Sequence, residues 1–339
     1  MKGIMIEKPN VLKIVDLPMP ELSETNDVLV KIRSTGICGS DVGIYHGTNA
    51  ATTYPRIIGH EVVGIVEKVM PGVTRVKPGD RVIIDEVTSC GHCWPCLHGR
   101  GNVCDNLRVR GVHIDGGSRE YDTVPAADCY LVPEGLSDAD AVMIEPMTIA
   151  VQSCSRARLQ PDDTLLLLGC GALGSSILKV ARHSGARIIV ADVVDEKLQE
   201  ALQNGADAAV NTRREDLTEA VRALTDGHGS TVSIDAAGLP DSLMSLLQAT
   251  GNAGRIVTMG FSNTPSPVTQ FLITAKEMDI MGSRLHYRHF QDAIDMINAG
   301  KLSLEGSVSH TFPFLKAQEA FDFMDSRDPS IRKIALLYD

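Results

Sequence analysis

No run of apolar residues in the sequence approaches the ~18 that a membrane-spanning helix requires, so a transmembrane protein is not expected. The N-terminal stretch MKGIMIEKPNVLKIVD is broken by Glu7, Lys8, Pro9 and Asn10, which leaves no apolar core for a secretory signal. The cytoplasm is the expected compartment. Low-complexity tracts and internal repeats are lacking too, and 43 % hydrophobic with 22 % charged residues is an ordinary globular composition. Basic residues are in deficit: 32 Lys and Arg against 43 Asp and Glu give a net charge of −11. A broad nucleic-acid or anionic-membrane surface needs clustered positive charge, so neither partner is expected. An anionic small molecule is not excluded, since a pocket needs only one or two local cations.

At 339 residues the chain exceeds what one core usually supports, and two domains are expected. Residues 27–32, 61–69 and 80–85 are Val/Ile-rich runs set between Gly- and Pro-bearing turns, which read as strands of a mostly β domain. From about residue 160 the texture changes. Strand-like runs at 164–168, 187–191, 207–210, 231–235 and 254–260 alternate with helix-like runs such as 195–203, 217–224 and 240–249. That alternation predicts a parallel, doubly wound α/β sheet. The tail carries helical patterns at 290–299 and 315–324 and a closing strand at 332–337. It is expected to pack back on the first domain, giving a discontinuous domain of 1–147 and 285–339 around a second of 148–284.

Four of the eight cysteines crowd into fifteen residues as Cys90, Cys93, Cys96 and Cys104, the spacing C-x2-C-x2-C-x7-C. In a chain with no export signal, such clustering favours a metal over disulfides. Four thiolates suit a closed structural Zn²⁺ site, with an iron–sulfur cluster as the alternative. His92 and His98 lie in the same loop and are left as surface residues. Farther on, Gly169-Cys170-Gly171-Ala172-Leu173-Gly174 follows a strand and opens a helix, and Asp192 closes the next strand eighteen residues past Gly174. The glycines permit a tight turn, close approach of a pyrophosphate and close helix–strand packing. Asp192 would accept from the ribose hydroxyls and repel a 2′-phosphate, and the next cation is Lys197, so NAD is expected rather than NADP.

Three further segments complete the pattern: Gly36-Ile37-Cys38-Gly39-Ser40-Asp41, Gly59-His60-Glu61, and Ile144-Glu145-Pro146. Together with the four cysteines, the glycine turn and Asp115-Gly116-Gly117 leading to Glu120-Tyr121, the whole chain resembles the zinc-containing medium-chain dehydrogenases, in the sorbitol and threonine dehydrogenase branch. The resemblance implies a GroES-like catalytic domain plus a Rossmann domain, and two zinc ions per subunit. It implies Cys38, His60 and Glu61 as ligands of a catalytic zinc, Glu145 as a nearby or exchangeable fourth, and Ser40 as the hydroxyl that takes the alcohol proton. Asp41 would orient a metal ligand. Many members carry a histidine five residues after the zinc cysteine; here Gly43 stands there, with His46 nearby.

Tyr54-Pro55-Arg56, Gly111-Val112-His113, Met259-Gly260-Phe261 and Gly282-Ser283-Arg284 look most like bacterial hexonate dehydrogenases. That likeness implies oxidation at C5 of a sugar acid, such as L-gulonate to D-fructuronate. Arg284 would then take the substrate carboxylate, or else form an interdomain ion pair, and His113 would contact substrate hydroxyls or simply brace its loop. For Arg56 the expected role is a surface salt bridge. The alternatives are a polyol or L-threonine dehydrogenase, and a regulatory protein that binds NAD without turnover; an intact Cys38, His60 and Glu61 set speaks against the last. A homodimer or homotetramer is expected, formed through the edge strand near residues 254–260 and the segment after it.

Overall fold

A computed structural model describes residues 1–261, 263–326, 328 and 330–339. The chain divides into two units, Met1–Pro146 with Phe290–Asp339, and Met147–His289. The second boundary falls at Phe290 rather than 285.

The first unit is mostly β. Its main sheet runs in the order Cys129–Leu131, Arg81–Ile84, Glu61–Val69, Val28–Ile37, Ile334–Leu337 and His310–Pro313, with Tyr121–Val124 also paired to Val28–Ile37. Its alternating Val28, Val30 and Ile32 are fully buried, each contributing about 1.5–3 kcal/mol by leaving water. The pattern reads as a strand only to residue 32, because Arg33-Ser34-Thr35-Gly36 interrupts the apolar alternation. The strand nonetheless continues to Ile37, its polar residues being bonded inside: Ser34 Oγ donates to Asp138 O at 2.5 Å and Thr35 Oγ1 lies 3.3 Å from the Tyr338 hydroxyl. This extension delivers Cys38.

Register then assembles three chain segments at one end of the sheet. Gly36 pairs with Glu61, the first residue of its neighbour strand, and Ile37 pairs with Ile334 on the other side. Lys333 precedes Ile334 and so stands level with Cys38. A Cβ on Gly36 would lie 1.8 Å from Glu61 Oε2, so only glycine lets that carboxylate lie across the strand.

The second unit is a six-stranded parallel sheet ordered Ala208–Asn211, Arg187–Asp192, Thr164–Leu168, Ser230–Asp235, Thr250–Thr258 and Asp279–Gly282. This is the order of the dinucleotide-binding fold, with the glycine turn at its first crossover. Leu166, Ile189, Val221 and Leu246 fill its core with no exposure. The strand expected at 254–260 begins earlier, at Thr250, with a register irregularity against the strand Ser230–Asp235 and Ala253 at φ 55°; Gly251 and Gly254 conceal that start. It is an inner strand, and the edge is Asp279–Gly282.

Candidate active site

Cys38 caps the short helix Gly39–Tyr45, and the Asp41 carboxylate folds back on that cap. Its Oδ2 accepts the Cys38 N–H at 2.9 Å and its Oδ1 the Gly59 N–H at 3.4 Å. Asp41 is fully buried. Its Oδ1 lies 3.5 Å from Nδ1 of His60, too far for a formal hydrogen bond, but the charge steadies the ring and leaves Nε2 as its ligand atom. Ser40 Oγ is 3.4 Å from that Nε2.

One ligand atom each of Cys38, His60 and Glu61 fall within 4.8 Å of one another. Burial opposes the Cys38 thiolate, but the His60 ring beside it outweighs burial and holds the thiol below its ordinary range. Burial likewise opposes an imidazolium, yet Asp41 and Cys38 carry His60 well above its usual value. The Glu61 side chain is wholly buried; Oε1 accepts from the Lys333 ammonium, while Oε2 has no hydrogen-bond partner among the described residues. A soft sulfur, an imidazole and an orphaned carboxylate oxygen are a donor set that fits Zn²⁺ with a position to spare.

Glu145 stands in the first turn of the helix Ile144–Ala157, outside that three-residue group. Burial and the charges of Glu86 and Glu61 push its carboxyl well above the usual carboxylate range, which favours its neutral form. The sequence reading gave no helix here, and it omitted Lys333 altogether. The one signal for Lys333 is a lysine heading the apolar run Ile334–Leu337.

The four-cysteine loop forms a second constellation, with its sulfurs within 4.8 Å of each other. Cys93 Sγ lies 3.4 Å from Cys96 Sγ and 3.7 Å from Cys104 Sγ. A tetrahedron with Zn–S bonds of about 2.3 Å has edges of about 3.8 Å, whereas a disulfide would need about 2.05 Å and a multi-iron cluster would hold the sulfurs farther apart. Backbone N–H groups of Cys90 and Asn106 point at Cys104 Sγ, at 3.2 and 3.3 Å, as thiolates in a zinc knuckle require. His92 and His98 turn instead to local carbonyls, of Cys90 at 2.8 Å and Trp94 at 2.7 Å.

In the second unit Gly169 takes φ +97° and Gly171 caps the helix Ala172–Ala181. A Cβ on Gly174 would strike Gly169 O at 1.9 Å, while one on Gly171 would meet nothing within 4 Å. Gly171 and Ala172 are exposed and Leu173 is half-buried, so the turn presents bare backbone, as a pyrophosphate cradle must. Asp192 braces that turn: Oδ2 accepts the Cys170 N–H at 2.7 Å, and Oδ1 the Val193 and Val194 N–H groups at 2.7 and 3.0 Å. Oδ1 has both lone pairs engaged, whereas Oδ2 keeps a second lone pair with which to receive a ribose hydroxyl.

Other candidates are held locally. His113 Nδ1 accepts the Val109 N–H at 3.0 Å, which braces its loop and assigns the neutral ring's proton to Nε2. Arg56 bonds Asp115 at 3.0 Å and Thr53 at 2.9 Å. His46 is held between Asn10 at 3.0 Å and Asp325 at 2.8 Å. The Arg284 guanidinium carbon lies 4.9 Å from the centre of the exposed Phe261 ring, a stack that fixes its plane.

Residues 24–134 match the alcohol dehydrogenase GroES-like domain and residues 172–299 the zinc-binding dehydrogenase family. The chain is 42 % identical to the starvation-sensing protein RspB of Escherichia coli K12, over 100 % of this chain and 99 % of that one. A crystal structure of rspB from E. coli CFT073, described as an alcohol dehydrogenase complexed with NADH, superposes with TM-score 0.93 at 41 % identity, over 100 % of this chain and 99 % of that one. L-threonine 3-dehydrogenase of Pyrococcus horikoshii is 34 % identical over 96 % of this chain and 95 % of its own. The 2-dehydro-3-deoxy-L-galactonate 5-dehydrogenase of Pseudoalteromonas atlantica is 28 % identical over 92 % of each. With the two cysteine-bearing constellations and the glycine turn each in its place on this fold, the chain belongs to the zinc-binding alcohol dehydrogenase family.

Proposed function

We propose that the protein oxidises a secondary alcohol of a sugar acid with NAD, at a zinc ion held by Cys38, His60 and Glu61, while Cys90, Cys93, Cys96 and Cys104 hold a structural zinc. The observation that carries this reading is the Cys38, His60 and Glu61 group, half-buried at Cys38 and buried at the other two, with Glu61 Oε2 left without a hydrogen-bond partner among the described residues. Zinc bound there would supply Lewis acidity that favours loss of the alcohol proton, and NAD bound at the glycine turn would supply the hydride acceptor. The chain's own residues do the rest. Asp41 holds the His60 ring, Ser40 takes the proton through its hydroxyl, and Glu145 is a reserve carboxylate near the metal. Gly171 to Gly174 cradle the pyrophosphate and Asp192 receives the ribose.

Gly43 offers no side chain for a relay, and His46 is engaged by Asn10 and Asp325, so the proton leaves Ser40 without a histidine from this helix. For the substrate, the Arg284 guanidinium is a fork for a carboxylate, and C5 of L-gulonate is the reading supported by the hexonate-like segments and by the sugar-acid relative. His113 is the second substrate contact, through its Nε2 proton. The open edge Asp279–Gly282, paired only with Thr250–Thr258 among the described residues, supports a homodimer or homotetramer.

The test has two parts. Elemental analysis is expected to give about two zinc ions per chain, and Cys38→Ala about one with loss of turnover; full activity in Cys38→Ala removes the catalytic assignment. A panel of L-gulonate and other hexonates, sorbitol and L-threonine, read as NADH appearance, is expected to show turnover on a hexonate, lost in Arg284→Ala. Turnover of threonine alone discards the sugar-acid assignment and leaves the dehydrogenase.

A further inference from the structure

Lys333 is a buried cation at the metal group. Its residue is 6 % exposed and its ammonium meets Oε1 of a Glu61 that is 0 % exposed. A lysine rarely enters a core without a specific partner. The backbone around it is fixed from outside: Ser309 Oγ donates to Lys333 O at 3.0 Å and accepts from Arg332 N–H at 2.9 Å and Lys333 N–H at 3.3 Å. The strand Ile334–Leu337 that follows pairs with Val28–Ile37 on one side and His310–Pro313 on the other. The amine is therefore held in place by the C-terminal strand, independently of the carboxylate it meets.

With Oε1 taken, rotation of the Glu61 carboxylate is stopped, and Oε2 lies over Gly36, where a Cβ would be 1.8 Å away. Oε2 is the oxygen without a partner. We infer that Lys333 is a positioning residue of the metal centre: by holding Glu61 Oε1 it presents Oε2 to the metal, and it makes seating of the C-terminal strand a condition of metal binding. A purely structural ion pair would have no reason to leave the second oxygen buried and unbonded.

This inference rests on the catalytic-zinc reading above, and the test separates the two. Zinc affinity is measured by chelator competition on the full chain, beside the visible absorption spectrum of the Co²⁺-substituted protein. Lys333→Met is expected to weaken one of two zinc ions by about 10–100-fold, the usual effect of losing a group that orients a ligand, to shift the Co²⁺ bands, and to leave the four-cysteine zinc unchanged. Lys333→Arg is expected to recover part of the affinity. In a Glu61→Gln background, Lys333→Met should add little further loss, because the two act as one unit. That double variant also serves where Lys333→Met alone does not fold, since it buries no unpaired charge. Two zinc ions bound with native affinity and an unchanged Co²⁺ spectrum in folded Lys333→Met, or fully additive losses in the cycle, would overturn the inference alone. A wild-type chain that binds only the four-cysteine zinc would overturn the catalytic-zinc reading, and this inference with it.

Discussion

Asp128 shows how much charge the catalytic unit tolerates away from its metal residues. Burial first, and then the charge of Asp85, push its carboxyl up to about 7, against the pull of Arg110 and Arg75, from an ordinary value of 3.8. Between about pH 4 and 7 the unfolded chain gives up this proton while the folded chain keeps it, so Asp128 costs stability as pH rises through that window. Asp128→Asn is therefore expected to raise the melting temperature at pH 8 by about 2–4 °C, the shift that 1 kcal/mol gives in a domain of this size. At pH 4 the gain should vanish, and thermal melts at the two pH values check it. An equal gain at both would mean that folding does not shift the titration of this carboxyl. At this scale the sequence was uneven in what it disclosed. Cys38, His60 and Glu61 stood out only through the family resemblance, because a lone cysteine or glutamate is ordinarily structural or solvated. Lys333 did not, because one lysine beside an apolar run carries no signal until strand register sets it level with Cys38. Arg56 and His113 announced only their polarity; which neighbour each would bond is decided by loops that no periodicity describes.

Among the elements, the cysteine loop is the one whose shape is expected to depend on a bound metal. It contains a single turn of helix, Trp94–Leu97, with Pro95 inside it and no buried residue, so apolar packing contributes little. Trp94 is 69 % exposed and stacks on His98 at 4.1 Å, and it is the only tryptophan in the chain. Its fluorescence is thus a reporter confined to this loop. Stepwise chelation is expected to change Trp94 emission in proportion to loss of the four-cysteine zinc, with no change as the other zinc leaves. Cys96→Ser should show the altered emission from the outset; an emission unaffected by that substitution would mean the loop keeps its shape unaided. In the other unit, the close packing of the buried Gly174 on Gly169 O, which a Cβ would meet at 1.9 Å, shapes the crossover without metal. That difference was readable in advance, since cysteine spacing and glycine spacing are both local. The start of the strand Thr250–Thr258 was not, because glycines there mask a strand that tertiary pairing imposes.

At the scale of the molecule, both metal constellations belong to the unit made of Met1–Pro146 and Phe290–Asp339. Zinc removal is therefore expected to act unequally on the two units. Hydrogen exchange followed by mass spectrometry should show faster exchange in residues 36–61, 90–104 and 334–337 of the metal-stripped chain. Residues 164–168 and 187–192, in the core of the parallel sheet, should keep their protection within about twofold, since no opening of that sheet is coupled to the metal. Uniform loss of protection would mean that the units unfold together. The two-unit division and the parallel sheet were legible from the change of texture near residue 160. The chain returns to the first unit at Phe290, against the expected 285, a crossing that no periodicity in the sequence marks.

The return of the chain has a consequence for synthesis. Cys38, His60 and Glu61 leave the ribosome early, and the whole of Met147–His289 is made before Lys333 and the strand Ile334–Leu337 emerge. The parallel-sheet unit is contiguous and can fold while translation continues. The sheet of the first unit lacks the strand Ile334–Leu337 until that late segment is made. A nascent chain would thus expose the Cys38 thiol through much of its elongation, and metal loading there would wait for Lys333 and its strand.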